Sequence, residues 1–279
     1  MADAMTGAPM RAALTDATDD GDRAILSVSA LELSFGGVRA LAGTDLEVRR
    51  GSITALIGPN GAGKTTLFNA ITGFYRADRG NAFFDGRPLL GKPPHAIARL
   101  GMARTFQLTK TLAAMPVLDN MMLAAPDQPG ERLANLILRP GGWRSREAEV
   151  RERALELLET FSLRDQAEAY AGTLSGGQRK LLELARVLML EPRLILLDEP
   201  MAGINPALAQ RLLGHIHELR EGRGVTFLFI EHDMEVVMGQ SDRVIVMSEG
   251  RVIAEGTPEQ VSRDPHVIDA YLGSSGEAA

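Results

Sequence analysis

The sequence predicts an α/β protein, a mostly parallel sheet with helices packed on both faces, and three observations carry that prediction. From residue 193 to residue 247 short apolar runs alternate with stretches of helical spacing, as strand–helix–strand units do. Within that region Arg193-Leu-Ile-Leu-Leu-Asp-Glu-Pro200 reads as a buried strand ending in two carboxylates. Upstream, Ser52-Ile-Thr-Ala-Leu-Ile57 is a strand that exits into the glycine-rich stretch Gly58 to Thr66, and Leu67-Phe-Asn-Ala-Ile71 continues as helix.

In chain order, residues 1–23 mix alanines with acidic residues, lack an apolar core of signal-peptide length and read as a flexible leader. Ile25 to Phe35 largely alternates apolar and polar residues as a half-buried strand, Gly36-Gly37 turns it back, and Thr44 to Val48 is a second short strand. With a further hairpin element at Asn81 to Gly86 these form an antiparallel β subdomain. Pro94 to Gly101 reads as a short helix. Pro116 to Ala125 and Arg146 to Phe161 have helical spacing, with Val150, Ala154, Leu157 and Leu158 on one face and a Pro/Gly-punctuated connection, Pro126 to Gly142, between them. They define an α-helical insert of about residues 107–170. A helix from Arg179 to Leu190 stops at Glu191-Pro192. After the acidic strand come a helix (Pro206 to Glu221), a strand (Val225 to Ile230), a helix (Met234 to Met238) and a strand (Arg243 to Met247). A hairpin turn at Ser248 to Arg251 leads to a C-terminal helix ending near Gly273. The chain is read as one domain over 24–273 with a tail at 274–279.

Composition narrows the function classes. The 279 residues are 45% hydrophobic and 24% charged, ordinary for a globular protein with ample core. A net charge of −6 argues against wholesale nucleic-acid binding, which draws its affinity from a basic surplus. Cysteine is absent, so there is no disulfide framework and no thiolate metal site. No run approaches the roughly 18 apolar residues of a membrane span.

The chemistry concentrates in Gly58-Pro59-Asn60-Gly61-Ala62-Gly63-Lys64-Thr65-Thr66, which meets the spacing G-x-x-x-x-G-K-T between a strand and a helix. Backbone N–H groups at a helix N-terminus favour a nucleotide's phosphates, and side chains larger than glycine's would block the approach. Lys64 adds a point charge, and Thr65 offers a hydroxyl to Mg²⁺. Such a P-loop NTPase core needs a metal carboxylate at a neighbouring strand end, and Asp198 stands there. Glu199 is placed to polarise a water for attack on the γ-phosphoryl, because neighbouring strand residues point to opposite sides. Leu174-Ser-Gly-Gly-Gln178 also opens a helix; it suits an anion site, and equally a plain capped start with Ser175 as N-cap. Phe35 fits a purine platform or a hairpin core position. A lone histidine after a strand, as His232 is, has more often a structural place.

These motifs in this order resemble the ATP-binding subunit of an ABC transporter, over about Ile25 to Gly273. In that family the pentapeptide from Leu174 to Gln178 is the signature motif. The resemblance implies that Phe35 stacks on adenine, that Gln107 contacts the metal and the attacking water, that Asp198 is the metal carboxylate and Glu199 the catalytic base, and that His232 contacts the γ-phosphate. It implies ATP and Mg²⁺ as cofactors. It further implies a second ATP-binding subunit whose Ser175, Gly176, Gly177 and Gln178 close over the ATP held by Lys64. Asn205 stands where many members carry an aspartate. Arg104-Thr-Phe-Gln-Leu108, Met115 to Met122, Gly141-Gly-Trp143, Ala202-Gly-Ile-Asn-Pro206 and Ala270-Tyr-Leu-Gly273 resemble the group that takes up branched-chain and other hydrophobic amino acids. Importers of urea or short amides and lipopolysaccharide-export ATPases share much of this pattern. The implied setting is the cytoplasmic side of the membrane, peripheral, on a transmembrane permease that an external substrate-binding protein serves. A soluble ABC ATPase acting on DNA or ribosomes would show a long coiled-coil insert or two motif sets. A regulator that does not hydrolyse ATP would have no use for Lys64, Asp198, Glu199 and His232 together.

Overall fold

In the computed structural model residues 23–105, 112–126 and 142–273 are described, with the backbone alone at 142–144, 272 and 273. The leader, the tail, Gln107 and most of the connection between the insert's helices lie outside these residues.

Ten strands form two sheets among the described residues. The first is antiparallel and holds β1 (Ala24–Phe35), β2 (Val38–Arg49), β4 (Arg79–Phe84) and β5 (Arg87–Pro88) in the order β2-β1-β4-β5. The second holds β3 (Ile53–Ile57), β6 (Met102–Arg104), β7 (Leu194–Asp198), β8 (Thr226–Ile230), β9 (Arg243–Ser248) and β10 (Arg251–Gly256) in the order β10-β9-β3-β8-β7-β6. It is parallel except for the β9–β10 edge. The helices are α1 (Lys64–Ile71), α2 (Pro94–Arg99), α3 (Val117–Leu123), α4 (Gly142–Thr160), α5 (Gly176–Leu188), α6 (Pro206–Arg223), α7 (Met234–Gln240), α8 (Pro258–Val261) and α9 (Pro265–Gly273).

The period-2 alternation of the parallel strands decides how the layers assemble. Ile195 and Leu197 of β7 and Phe227 and Phe229 of β8 face a core shared with α4, α5 and α6. Leu194, Leu196, Leu228 and Ile230 face a second core, shared with α1 and the antiparallel sheet. Burying each such side chain contributes about 1.5–3 kcal/mol, and both faces of the sheet supply core in this way. Among the described residues of the insert, Val150, Ala154, Leu157 and Leu158 of α4 are buried on one face. Asn120 is fully buried yet satisfied: its side chain accepts the Leu112 N–H and donates to the carbonyls of Leu112, Met115 and Pro116.

Several elements differ from the sequence expectation, among them the short strands β5 and β6 and the separate helix α8, and two further differences have a clear cause. The second strand runs over Val38–Arg49 rather than Thr44 to Val48, because pairing with β1 carries it through Ala40 and Gly43, where the alternation is weak. After the turn at 248–251 the chain makes a further strand, β10. Val252, Ile253 and Ala254 are all half-buried between the exposed Arg251 and Glu255, so no alternation announces it.

Where β3 leaves the sheet, glycine is required by contact as well as by torsion. Gly58 has φ +144°, and a Cβ on it would lie 2.0 Å from the Met247 carbonyl oxygen of the neighbouring strand. Gly61 has φ +81° but open space around it. Gly58→Ala should therefore cost about 3 kcal/mol or more, and Gly61→Ala only the torsional strain, about 1 kcal/mol. Urea denaturation midpoints of the two variants measure the difference.

Candidate nucleotide site

The turn from Gly58 to Gly63 ends in a helix whose first backbone N–H groups have no partner within the chain's own side chains. Gly63 is the N-cap of α1, in a left-handed conformation, with no side-chain cap and no acidic residue in the first turn. The helices α5, α6, α7 and α8, in contrast, are capped by the side chains of Ser175, Asn205, Asp233 and Thr257. An uncapped N-terminus beneath a glycine turn is an anion site. Lys64 is 6% exposed and folds back to donate from Nζ to the carbonyls of Gly58 at 2.6 Å and Pro59 at 3.0 Å. Burial lowers the pKa of its ammonium, and the charges of Glu199 and Asp198 oppose that shift. The cavity here, about 200 Å³, is lined by residues 60–66 together with Ala40, Glu199 and His232.

Asp198 and Glu199 are adjacent but live in different surroundings. Asp198 is buried, and its Oδ2 accepts from Arg104 Nη2 at 2.6 Å. The same guanidinium donates from Nη1 to Asn69 Oδ1 at 2.7 Å and lies over the Phe68 ring. Arg104 thus ties the acidic strand to α1. Spacing alone could not single out this residue, since the pairing joins β6, β7 and α1 across the sheet. Glu199 does not continue the pleat of β7: the strand ends at Asp198, and Glu199 sits at φ +48°, a strained value for a side chain with a Cβ. Its N–H bonds the Ile230 carbonyl at 3.0 Å, and its Oε1 meets His232 Nε2 at 2.9 Å. Glu199 and His232 are thereby paired at the cavity's edge.

The signature residues are elsewhere. None of Ser175, Gly176, Gly177 and Gln178 lines the cavity that holds Lys64. Ser175 and Gln178 form a reciprocal capping box, so the plain-cap reading describes the motif within one chain. Gly177 is packed so closely on α6 that a Cβ would lie 1.9 Å from a methyl of Leu208. Asn205 caps α6 by accepting the Leu208 N–H at 2.9 Å. Phe35 is 46% exposed at the end of β1 with its ring edge-on to Tyr75, centroids 5.2 Å apart, an open aromatic pair. A second cavity, about 400 Å³, lies between the start of α5 and the end of β7; it brings Gly176 of the signature together with Thr105, Lys180, Glu183, Asp198 and Glu199, apart from the cavity that holds Lys64. Burial raises the Glu183 carboxyl there to about 7, against the nearby charges of Lys180, Arg186 and Arg179.

Two measurements check these electrostatics. Arg104→Met removes one partner of a buried pair and should cost about 3–5 kcal/mol, and Arg104→Lys should recover less than half, because one ammonium cannot span Asn69 and Asp198. Glu183 binds its proton more tightly folded than unfolded. The stability it lends is complete below its unfolded value of 4.5 and lost as pH rises through about 7. Relative to the unsubstituted protein, Glu183→Gln should gain about 1–2 kcal/mol at pH 8, a figure discounted for partial exposure, and almost nothing at pH 4.5.

Comparison with known proteins agrees with the geometry. The ABC transporter family profile matches residues 41–202, and a profile of branched-chain amino acid ATP-binding cassette transporters matches residues 251–277. A probable branched-chain amino acid transport ATP-binding protein of Archaeoglobus fulgidus is 44% identical over 250 residues, 90% of this chain and 96% of the relative. A high-affinity branched-chain amino acid transport ATP-binding protein of Pseudomonas aeruginosa is 42% identical, covering 91% of this chain and 99% of its own. Among solved structures, a nucleotide-free ATP-binding cassette of an ABC transporter superposes with TM-score 0.77 at 39% identity, covering 89% of this chain and 99% of its own. An ADP-bound cassette superposes with TM-score 0.77 at 38% identity, covering 90% and 99%. The chain therefore belongs to the ATP-binding cassette family of ABC transporters, in its branched-chain amino acid group.

Proposed function

We propose that this chain is the ATP-hydrolysing subunit that powers uptake of branched-chain or other hydrophobic amino acids through a separate permease. The observation that carries the chemical part is the single cavity joining the cradle of residues 58–66 to the Glu199–His232 pair. The phosphates would rest on the N–H groups at the start of α1, with Lys64 leaving the Gly58 and Pro59 carbonyls for their oxygens. Glu199 would accept the proton of the attacking water, and His232, bonded to Glu199 Oε1, would hold the base in orientation and donate toward the γ-phosphoryl oxygens. Phe35 would offer its exposed face to adenine.

The donor set suits Mg²⁺. Among the described residues no cluster of three or more acidic, histidine or cysteine side chains is present, and Mg²⁺ bound beside phosphates needs only one or two protein oxygens. Thr65 Oγ1 and the second oxygen of Asp198 would serve, Oδ2 being held by Arg104, and Gln107 would contribute as the family resemblance implies. The ion would neutralise charge on the phosphoryl oxygens.

Because the signature residues lie apart from the cradle of their own chain, two subunits would complete each site, Ser175 to Gln178 of one covering ATP on the other. The two could be identical copies or this chain and a related one. The helical insert would dock the permease and hold the chain at the cytoplasmic face; no described helix is long and apolar enough to cross a bilayer. A substrate-binding protein would select the amino acid on the far side.

Glu199→Gln should lower phosphate release at least about 10²-fold while leaving ATP affinity within about twofold. Turnover retained in that variant would remove Glu199 as the base. Purification from membranes should bring a permease and a binding protein that takes up leucine, isoleucine or valine; a urea-binding partner would overturn the substrate assignment.

A further inference from the structure

The turn that follows the acidic strand, residues 200–204, is gripped from two sides by charged groups that the catalytic scheme does not use. Glu231 lies between Ile230 and His232 and is 5% exposed. Both of its carboxylate oxygens are committed to backbone: Oε1 accepts the Met201 N–H at 2.9 Å, and Oε2 accepts the N–H of His232 at 3.2 Å. From the opposite side Lys180, in the first turns of α5, donates from Nζ to the Pro200 carbonyl at 2.9 Å and to the Ala202 carbonyl. The charges are complementary as well: burial lowers the pKa of the Lys180 ammonium, and the charges of Glu183, then Glu231 and Glu199, oppose that shift.

Three consecutive residues of the turn are thus fixed by one cation and one anion that come from different elements. A carboxylate buried to this degree costs several kcal/mol unless it is fully hydrogen-bonded, and charge-assisted bonds to backbone are about twice as strong as neutral ones. A leucine of similar volume would avoid that cost but leave the Met201 and His232 N–H groups without their acceptor, so the carboxylate is explained by what it holds.

We infer that Glu231 and Lys180 are positioning residues that clamp the 200–204 turn, joining the signature helix, this turn and the Glu199–His232 pair into one mechanical unit. The clamp itself is a property of one subunit. Its consequence between subunits rests on the paired-site reading above: α5 faces the nucleotide of the neighbouring subunit, while Glu199 and His232 serve their own. Displacement of α5 then reaches Pro200 and Ala202 through Lys180, and the turn and the His232 backbone move together through Glu231. Such coupling between the two nucleotides is reciprocal.

The test uses the full chain with Lys180→Met, Glu231→Leu, Glu231→Gln and the Lys180→Met/Glu231→Leu pair. In nucleotide-free protein, amide hydrogen exchange at 201–204 and 232 should quicken about tenfold in the Met and Leu variants while amides 58–66 keep their protection. Steady-state kcat should fall about tenfold with KM for ATP within about twofold, Glu231→Gln should be intermediate because its amide oxygen keeps one acceptor, and the double variant should lose less than the product of its singles. Unchanged exchange in the turn, kcat within twofold, or fully multiplicative losses would overturn the clamp. Should Glu231→Leu fail to fold, Lys180→Met and Glu231→Gln decide by the same readouts. ATP-induced dimerisation is followed by light scattering in a Glu199→Gln background. If that parent does not dimerise, the paired-site reading fails, while exchange and kcat still judge the clamp.

Discussion

The Met247 carbonyl oxygen stands where a side chain on Gly58 would be, and the position of every functional group depends on that approach. It lets β3 run close beside β9 and then turn sharply, so that α1 begins directly at the sheet's carboxyl edge. The Ala40 carbonyl makes a similar approach to Gly63, 2.4 Å from where its Cβ would be, and brings β2 of the antiparallel sheet over the same turn. Backbone cannot give way as a side-chain end can, so both glycines are dictated by packing. The resulting helix start has no side-chain cap, which leaves its N–H groups and the buried Lys64 as the local complement to an anion.

Charge is then distributed by burial and partners. Asp198 is buried and tied to Arg104, so one oxygen is fixed and the other remains for a ligand. Glu199 is half-exposed, held at a strained φ and bonded to His232. Two neighbouring carboxylates therefore sit in different surroundings, one against a guanidinium and one beside an imidazole. The strain at Glu199 is sustained by its backbone bond to Ile230 and by the 200–204 turn beyond it, and that turn is in turn fixed by Lys180 and Glu231.

The two cores follow from the same sheet. One face of the parallel strands packs α4, α5 and α6, the other packs α1 and the antiparallel sheet. Helices α4 and α5 are consequently packed on the face opposite to α1, and groups at the strand ends tie neighbouring elements together. Arg104, Lys180 and Glu231 are such groups.

The phosphate cradle, the acidic strand, the parallel architecture and the helical insert were legible in the sequence, because each is a local pattern: a spacing of glycines, a run of apolar residues, a period of 2 or 3.6. Phe35, the Ser175 cap and His232 were legible as residues, with their neighbours undecided. The extension of β2 and the existence of β10 were not, since both strands are stabilised by pairing with β1 and β9 rather than by their own alternation. Tertiary structure alone decided that Arg104 holds Asp198, that Glu199 turns by left-handed torsion rather than by pleat, and that Glu231 grips a turn thirty residues before it. Hydrogen bonds between distant elements leave no period in the chain, so the sequence by itself determined which groups could bind and split a nucleotide, and the packing of the sheet determined which of them meet.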